Sequence, residues 1–202
     1  RNRHELIIDE ESSFDCNPRN NTYYALNKKS VPKEIKFCHV KKFPKKIMVW
    51  IAISRRGIST PYFVPDSASM NMKRYSRFCV TNRLSKFINK HHKNSKYVFW
   101  PDNASCHYGS VTLQTLEKLN IAYVPKSHNP ANVPHLRPIE RFWALLKQKV
   151  YSDGFVAENL NDLKRRIISK LKLLDITVVN NLMNNLESKI RKAACNGPDS
   201  IL

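Results

Sequence analysis

The sequence predicts an α/β chain, with helices packed on a mixed sheet and a helical extension at the C-terminal end. Three observations carry that reading. Apolar, strand-like runs alternate with helix-period segments between residues 5 and 125. Everything after Pro138 follows a helical period. A chain of 202 residues with 42% hydrophobic content can bury a substantial core, and its length suggests one domain with an appendage.

Taken in chain order, "ELIID" (5–9) is a short apolar run ending in an acid, which predicts a strand. "KIMVWIAIS" (46–54) is continuously apolar and rich in β-branched residues, and "RRG" closes it, so it reads as a central strand covered on both faces. "TPYFV" (60–64) is expected to pair beside it. From Met70 to His92 the period changes. Val80, Leu84, Phe87, Ile88 and His91 share one helical face, while Lys73, Arg74, Arg83, Lys86 and Lys90 lie largely elsewhere, which predicts a helix, or two helices broken near Thr81. "KYVFWPD" (96–102) is a further strand ending in an acid. "SVTLQTLEKLN" is a short helix and "IAYVP" (121–125) a strand. After Pro138 three apolar stripes follow: Ile139, Phe142, Trp143, Leu146 and Val150; then Leu160, Leu163, Ile167, Leu171 and Leu174; then Val178, Leu182, Leu186 and Ile190, which stops at Gly197-Pro198. Such stripes are core-packing faces. The chain thus divides into a layered unit over residues 1–152 and a helical extension over 153–202.

Thirty-five Lys and Arg against sixteen Asp and Glu give a formal charge of +19. That excess exceeds what solubility needs and points to a polyanionic partner, nucleic acid ahead of an anionic membrane surface. No apolar run approaches the roughly eighteen residues of a membrane span, and the N-terminal residues carry no signal-peptide core, so a soluble intracellular chain with no membrane partner is expected. The five cysteines, at 16, 38, 79, 106 and 195, form no CxxC pair and fit neither a disulfide framework nor a zinc ribbon. The most basic stretch, 28–46, holds Lys28, Lys29, Lys33, Lys36, Lys41, Lys42, Lys45 and Lys46, interleaved with Phe37, His39 and Phe43. It reads either as a solvated loop or as an arm that tracks phosphates with aromatic anchors.

Three acids stand at the ends of predicted strands or at the start of a predicted helix: Asp9, Asp102 and Glu140. Each has an ordinary explanation. Asp9 could be surface charge together with Glu10 and Glu11. Asp102 could cap a turn with Asn103, and Glu140, just past Pro138, suits the positive end of a helix. Carboxylates brought together from separate rigid elements are also what two-metal phosphodiester chemistry requires, with hard cations about 4 Å apart.

The segments "LIIDEESSF", "VWIAISRRGIS", "FWPDNASCHYG" and "PHLRPIERFWALLKQKVY" resemble, in the same order, the signature segments of the Tc/mariner superfamily transposases. The resemblance spans roughly residues 5–152. Ninety-two residues separate Asp9 from Asp102 and 37 separate Asp102 from Glu140, a spacing similar to the branch whose acids are Asp, Asp and Glu. It implies an RNase H-like fold, in which Asp9, Asp102 and Glu140 bind two Mg2+ or Mn2+ ions. The implied reactions are hydrolysis at terminal inverted repeats and transfer of the freed 3'-hydroxyl into TA target DNA, carried out in the nucleus by a homodimer on DNA. The lysines of 28–46 become a candidate clamp onto DNA and the partner subunit. Asn103 and His107 match supporting positions beside the second acid. Arg137 and Arg141 flank Glu140 as phosphate contacts or as ion-pair partners of local carboxylates. Glu11 shares strand parity with Asp9 and competes for the first position. In that family a helix-turn-helix region precedes these segments, so a fragment, a partial gene or a decayed copy lacking sequence recognition is expected here. Two rival readings stand beside the transposase: a catalytically silent module that holds DNA through charge, and another RNase H-like nuclease.

Overall fold

The computed structural model describes residues 4–17, 25–33, 45–66, 68–131, 133–184, 186–197 and 200. A mixed sheet organises them. Strand β1 (Glu5–Asp15) lies between β2 (Lys46–Ser54), which it pairs antiparallel, and β5 (Tyr97–Trp100), which it pairs parallel. The short strands β3 (Gly57–Ile58) and β4 (Tyr62–Phe63) both pair with β2. The expected strand over 121–125 shrinks to a single bridge, Tyr123 to Phe99, because β5 itself is only four residues long and offers little edge to extend.

Alternation along β1 and β2 sends side chains into two separate cores. Ile7, Trp50 and Ala52 face one side with Tyr75, Val80, Leu84 and Phe99. Ile8, Phe14, Val49, Ile51 and Ile53 face the other with Phe142, Trp143 and Leu146. Coverage on both faces is why β2 reads as an unbroken apolar run.

The first core is roofed by α1, which runs over 72–91 as three consecutive segments: Met72–Arg74, a π-helical stretch Tyr75–Leu84, and Ser85–His91. The Asn71 side chain caps its start by accepting from Arg74 N at 2.9 Å. No break falls near Thr81. The helix instead widens there: Ser85 N donates to Val80 O, five residues back, and the Thr81 hydroxyl donates to Ser76 O. Helix α2 (Ser110–Lys118) follows β5 and ends at Asn120, whose left-handed φ of 51° lets Ile121 N return to Leu116 O.

The second core is closed by α3 (Pro138–Val150), α4 (Leu160–Lys172), α5 (Ile176–Met183) and α6 (Leu186–Asn196). The third predicted stripe is therefore two helices. Asn184 takes an extended conformation after α5 and separates them. Asn159 and Asp175 cap α4 and α5 with their side-chain oxygens. Leu163, Ile167, Val179 and Met183 share one apolar cluster with Ile8 and Phe14, so the extension packs directly on the sheet.

At the N-terminal end of β1, Glu5 takes two charge-assisted bonds from Arg56, at 2.6 and 2.7 Å, and lies 3.1 Å from His92 Nδ1. His92 Nε2 is in turn 2.9 Å from Ser54 Oγ. The order Ser-His-Glu suggests a nucleophile, but Ser54 is 0% and His92 1% exposed, which makes the group a sealed clasp between β1, β2 and the end of α1.

Candidate active site

Three backbone elements converge at the middle of β1: β1 itself, the loop after β5, and the start of α3. Pro101 ends β5, and the next residue, Asp102, donates its backbone N–H to Asp9 Oδ1 at 3.2 Å. Arg137, immediately before α3, ties the third element in. Its guanidinium donates to the Asp9 carbonyl at 2.7 Å and the Pro101 carbonyl at 3.3 Å, and it lies over the Trp100 ring. A planar fork that reaches two carbonyls on different strands fixes where α3 begins, and therefore where Glu140 stands.

Asp9 is fully buried on the α1 side of the sheet. Trp50 Nε1 donates to its Oδ2 at 2.8 Å and the Tyr75 hydroxyl at 2.5 Å. Tyr75 opens the π-helical stretch, so that segment carries the residue that grips the first acid. Glu11, on the same face, meets His107: Nε2 to Oε1 is 3.1 Å, while His107 Nδ1 lies 3.1 Å from the Asp102 carbonyl. A carbonyl only accepts, so Nδ1 carries a proton, and a second proton sits between Nε2 and Glu11. Burial works against charge on His107, but its hydrogen bonds with Cys106 and Glu11 and the negative charge of Asp9 hold its pKa well above the ordinary value. Burial raises the Glu11 carboxyl despite His107.

Glu10 points to the opposite face, where the charge of the Glu140 carboxylate acts on it. Burial first, and the Glu140 charge second, push Glu10 up to about 8. Its Oε2 is buried without a hydrogen-bond partner. Glu140 thus acts electrostatically on Glu10, whereas Asp9 touches Asp102.

The donor set fits a hard divalent cation. Glu11, Asp102 and His107 each present a ligand atom, all within 4.8 Å of one another.

The remaining predicted positions divide. Asn103 donates to the Pro130 carbonyl at 3.0 Å and orders the loop. Arg137 is 8% exposed and donates to main-chain carbonyls, and its charge acts on the nearby Glu10 carboxyl. Arg141 is exposed at the start of α3. Lys29, Lys33, Lys45 and Lys46 are exposed, and the backbone of Lys28 opens a short 3-10 turn, Lys28–Ser30. Lys36, Lys41 and Lys42 lie outside the described residues. Reading the sequence missed Glu10, which strand parity assigns to the face opposite Asp9, and Asn129. Buried Asn129 accepts from Trp100 Nε1 and donates to Pro101 O and Tyr108 Oη, which pins the proline-rich run against the end of β5. Its only signal was a polar residue in a run without helical or strand period.

A mixed sheet with this pairing, helices on both faces and acids at the centre of β1, after β5 and at the start of a later helix defines an RNase H-like fold with a carboxylate site. Comparison with known proteins agrees. The chain is 27% identical over 146 residues to the Tc3 transposase of Caenorhabditis elegans, covering 71% of this chain and 42% of that protein. It superposes on the Mos1 transposase paired-end complex with a TM-score of 0.79 at 18% identity, over 98% of this chain and 57% of that one. On the catalytic domain of Mos1 mariner transposase the TM-score is 0.70 at 17% identity, over 96% of this chain and 83% of that one. No family model matches the sequence. The chain is thus similar in sequence to the Tc3 transposase and has the fold of the Mos1 catalytic domain, and it spans less than half the length of the Tc3 relative.

Proposed function

We propose that this chain is the catalytic domain of a cut-and-paste DNA transposase, cleaving phosphodiester bonds at transposon ends and joining the freed 3'-hydroxyl to TA target DNA. The observation that carries the proposal is the meeting of β1, the loop after β5 and the start of α3, held by Arg137, with Asp9, Asp102 and Glu140 on those three elements. The formal charge of +19 suits a DNA partner. Solved Mos1 complexes contain transposon ends, Mn or Mg, which supports the same partner and cofactor class here. Two Mg2+ or Mn2+ ions held by Asp9, Asp102 and Glu140 would activate the attacking water or 3'-hydroxyl and stabilise the leaving oxygen. Arg137 fixes the spacing of the acids, and the lysines of 28–46 act as a DNA clamp in a homodimer on DNA in the nucleus.

A second assignment of the first acid rests on a specific observation: Glu11, not Asp9, groups with Asp102 and His107 at ligand distance. The test is nicking of pre-nicked terminal-repeat DNA, branched DNA and an RNA-DNA hybrid in Mn2+. Cleavage of the first substrate, reduced by orders of magnitude in Glu140→Gln along with its Mn2+-induced thermal stabilisation, supports the transposase. Equal cleavage and equal metal stabilisation in both proteins would make Glu140 a helix-start carboxylate only. Preference for the hybrid would favour another RNase H-like nuclease, and binding without cleavage would favour the silent module. Loss of activity in Asp9→Asn but not Glu11→Gln would keep Asp9 as the first acid.

A further inference from the structure

A cavity of ≈ 260 Å³ opens beside Glu140, between the 134–141 segment and the junction of α5 with α6. Leu136, Leu182 and Leu186 give it an apolar lining, and Arg141 and Lys189 add cationic side chains. Arg137 lines it as well. That side chain is 8% exposed, and its Nε is buried with no hydrogen-bond partner although the other guanidinium nitrogens are engaged.

The volume lies just under the usual range for ligand cavities, about 300–1,000 Å³, too small for duplex and suited to one planar heterocycle. Apolar walls suit the face of a base, ring nitrogens and carbonyls of a base accept hydrogen bonds, and lysine and arginine suit the attached phosphate. We propose that this cavity holds one unpaired nucleotide of the bound DNA strand, its base against Leu136, Leu182 and Leu186 and its phosphate at Arg141 and Lys189. This rests on the DNA reading above and deepens it. With Glu140 at the cavity wall, seating that nucleotide brings the adjoining phosphodiester to that acid. The cavity is thus a positioning site for the strand to be cut.

The experiment uses the full chain without metal and two probes. Deoxyadenosine monophosphate is titrated alone and followed by calorimetry. A duplex with a short 3' overhang carrying 2-aminopurine is followed by fluorescence. The variants are Asn184→Trp, which places a large side chain at an exposed lining position, and Lys189→Glu, which reverses charge. Thermal melting close to wild type shows that each variant is folded. The proposal expects at least a tenfold weaker response of both probes in both variants. Equal responses in wild type and variants, or no nucleotide binding by wild type, would overturn it. Nicking by wild type in Mn2+ without a nucleotide response would sink the cavity and leave the transposase standing. A nucleotide response lost in the variants, with no nicking of any DNA, would leave the cavity and remove the catalytic reading.

Discussion

At the scale of single residues, adjacent positions on β1 do different work because the strand alternates. Asp9 is gripped on one face by Trp50 and Tyr75, and Glu10 feels the charge of Glu140 on the other. Asp9→Asn turns one acceptor oxygen into an amide facing the Trp50 N–H. A buried donor opposed by a donor should cost about 1–3 kcal/mol, read by urea denaturation of the metal-free protein. No loss of stability would mean that the Trp50 and Tyr75 contacts contribute nothing to the fold. Glu10 gives a pH prediction. Its folded pKa is about 8 against an ordinary 4.5, so the native state binds the extra proton and Glu10 stabilises the fold fully below about pH 4.5. That contribution falls as pH rises and is gone above about pH 8. Metal-free protein should therefore lose thermal stability across this window, and Glu10→Gln should flatten the loss. The same slope in both proteins would place the buried proton elsewhere.

At the scale of elements, α3 mounts Glu140 on a rigid base. Its stripe Ile139, Phe142, Trp143, Leu146 and Val150 is buried against Phe14 and the α4–α5 pair, while Pro138 and Arg137 set where the first turn begins. Leu146→Ala should destabilise by about 2–5 kcal/mol, because a fully buried side chain leaves a cavity under the helix that carries the acid. Asn159→Ala removes only the cap of α4 and should cost about 0.5–2 kcal/mol with cleavage unaffected. Denaturant midpoints of the two variants check the ranking, and a reversed order would mean that α3 is not the element anchored in the core. The π-helical stretch of α1 belongs to this scale too. Tyr75 opens it, and its ring lies 4.1 Å from that of His107, so one helix buttresses both the first acid and the histidine beside the second.

At the scale of the whole molecule, charge would govern the proposed encounter with DNA. The +19 excess predicts binding that falls steeply with salt and is indifferent to sequence. Replacing Lys41, Lys42, Lys45 and Lys46 with Gln should flatten the log-log salt slope by about two to four, the number of phosphate contacts removed. Fluorescence anisotropy across a salt series measures it. An unchanged slope would return the segment to a solvated loop.

The sequence by itself determined most of the strands and helices, the burial of β2 on both faces and the elements that carry the acids, because hydrophobic period and breakers such as Pro101 and Pro138 are local properties of the chain; the bridge at Tyr123 and the split of the last stripe into two helices were not among them. Its resemblance to the Tc/mariner segments also singled out Asp9, Asp102 and Glu140, with Glu11 as the rival to Asp9. Only the tertiary structure decided which carboxylates meet. Glu140 acts on Glu10 through its charge, Glu11 reaches His107, and Asp9 is held by Trp50 and Tyr75, 41 and 66 residues away in sequence. Arg137 changed from an expected surface contact to a buried tie, because two carbonyls from distant strands arrive at its guanidinium. Pairings of that kind depend on the sheet's register and on how α3 docks against it, and neither is encoded in any short window of residues.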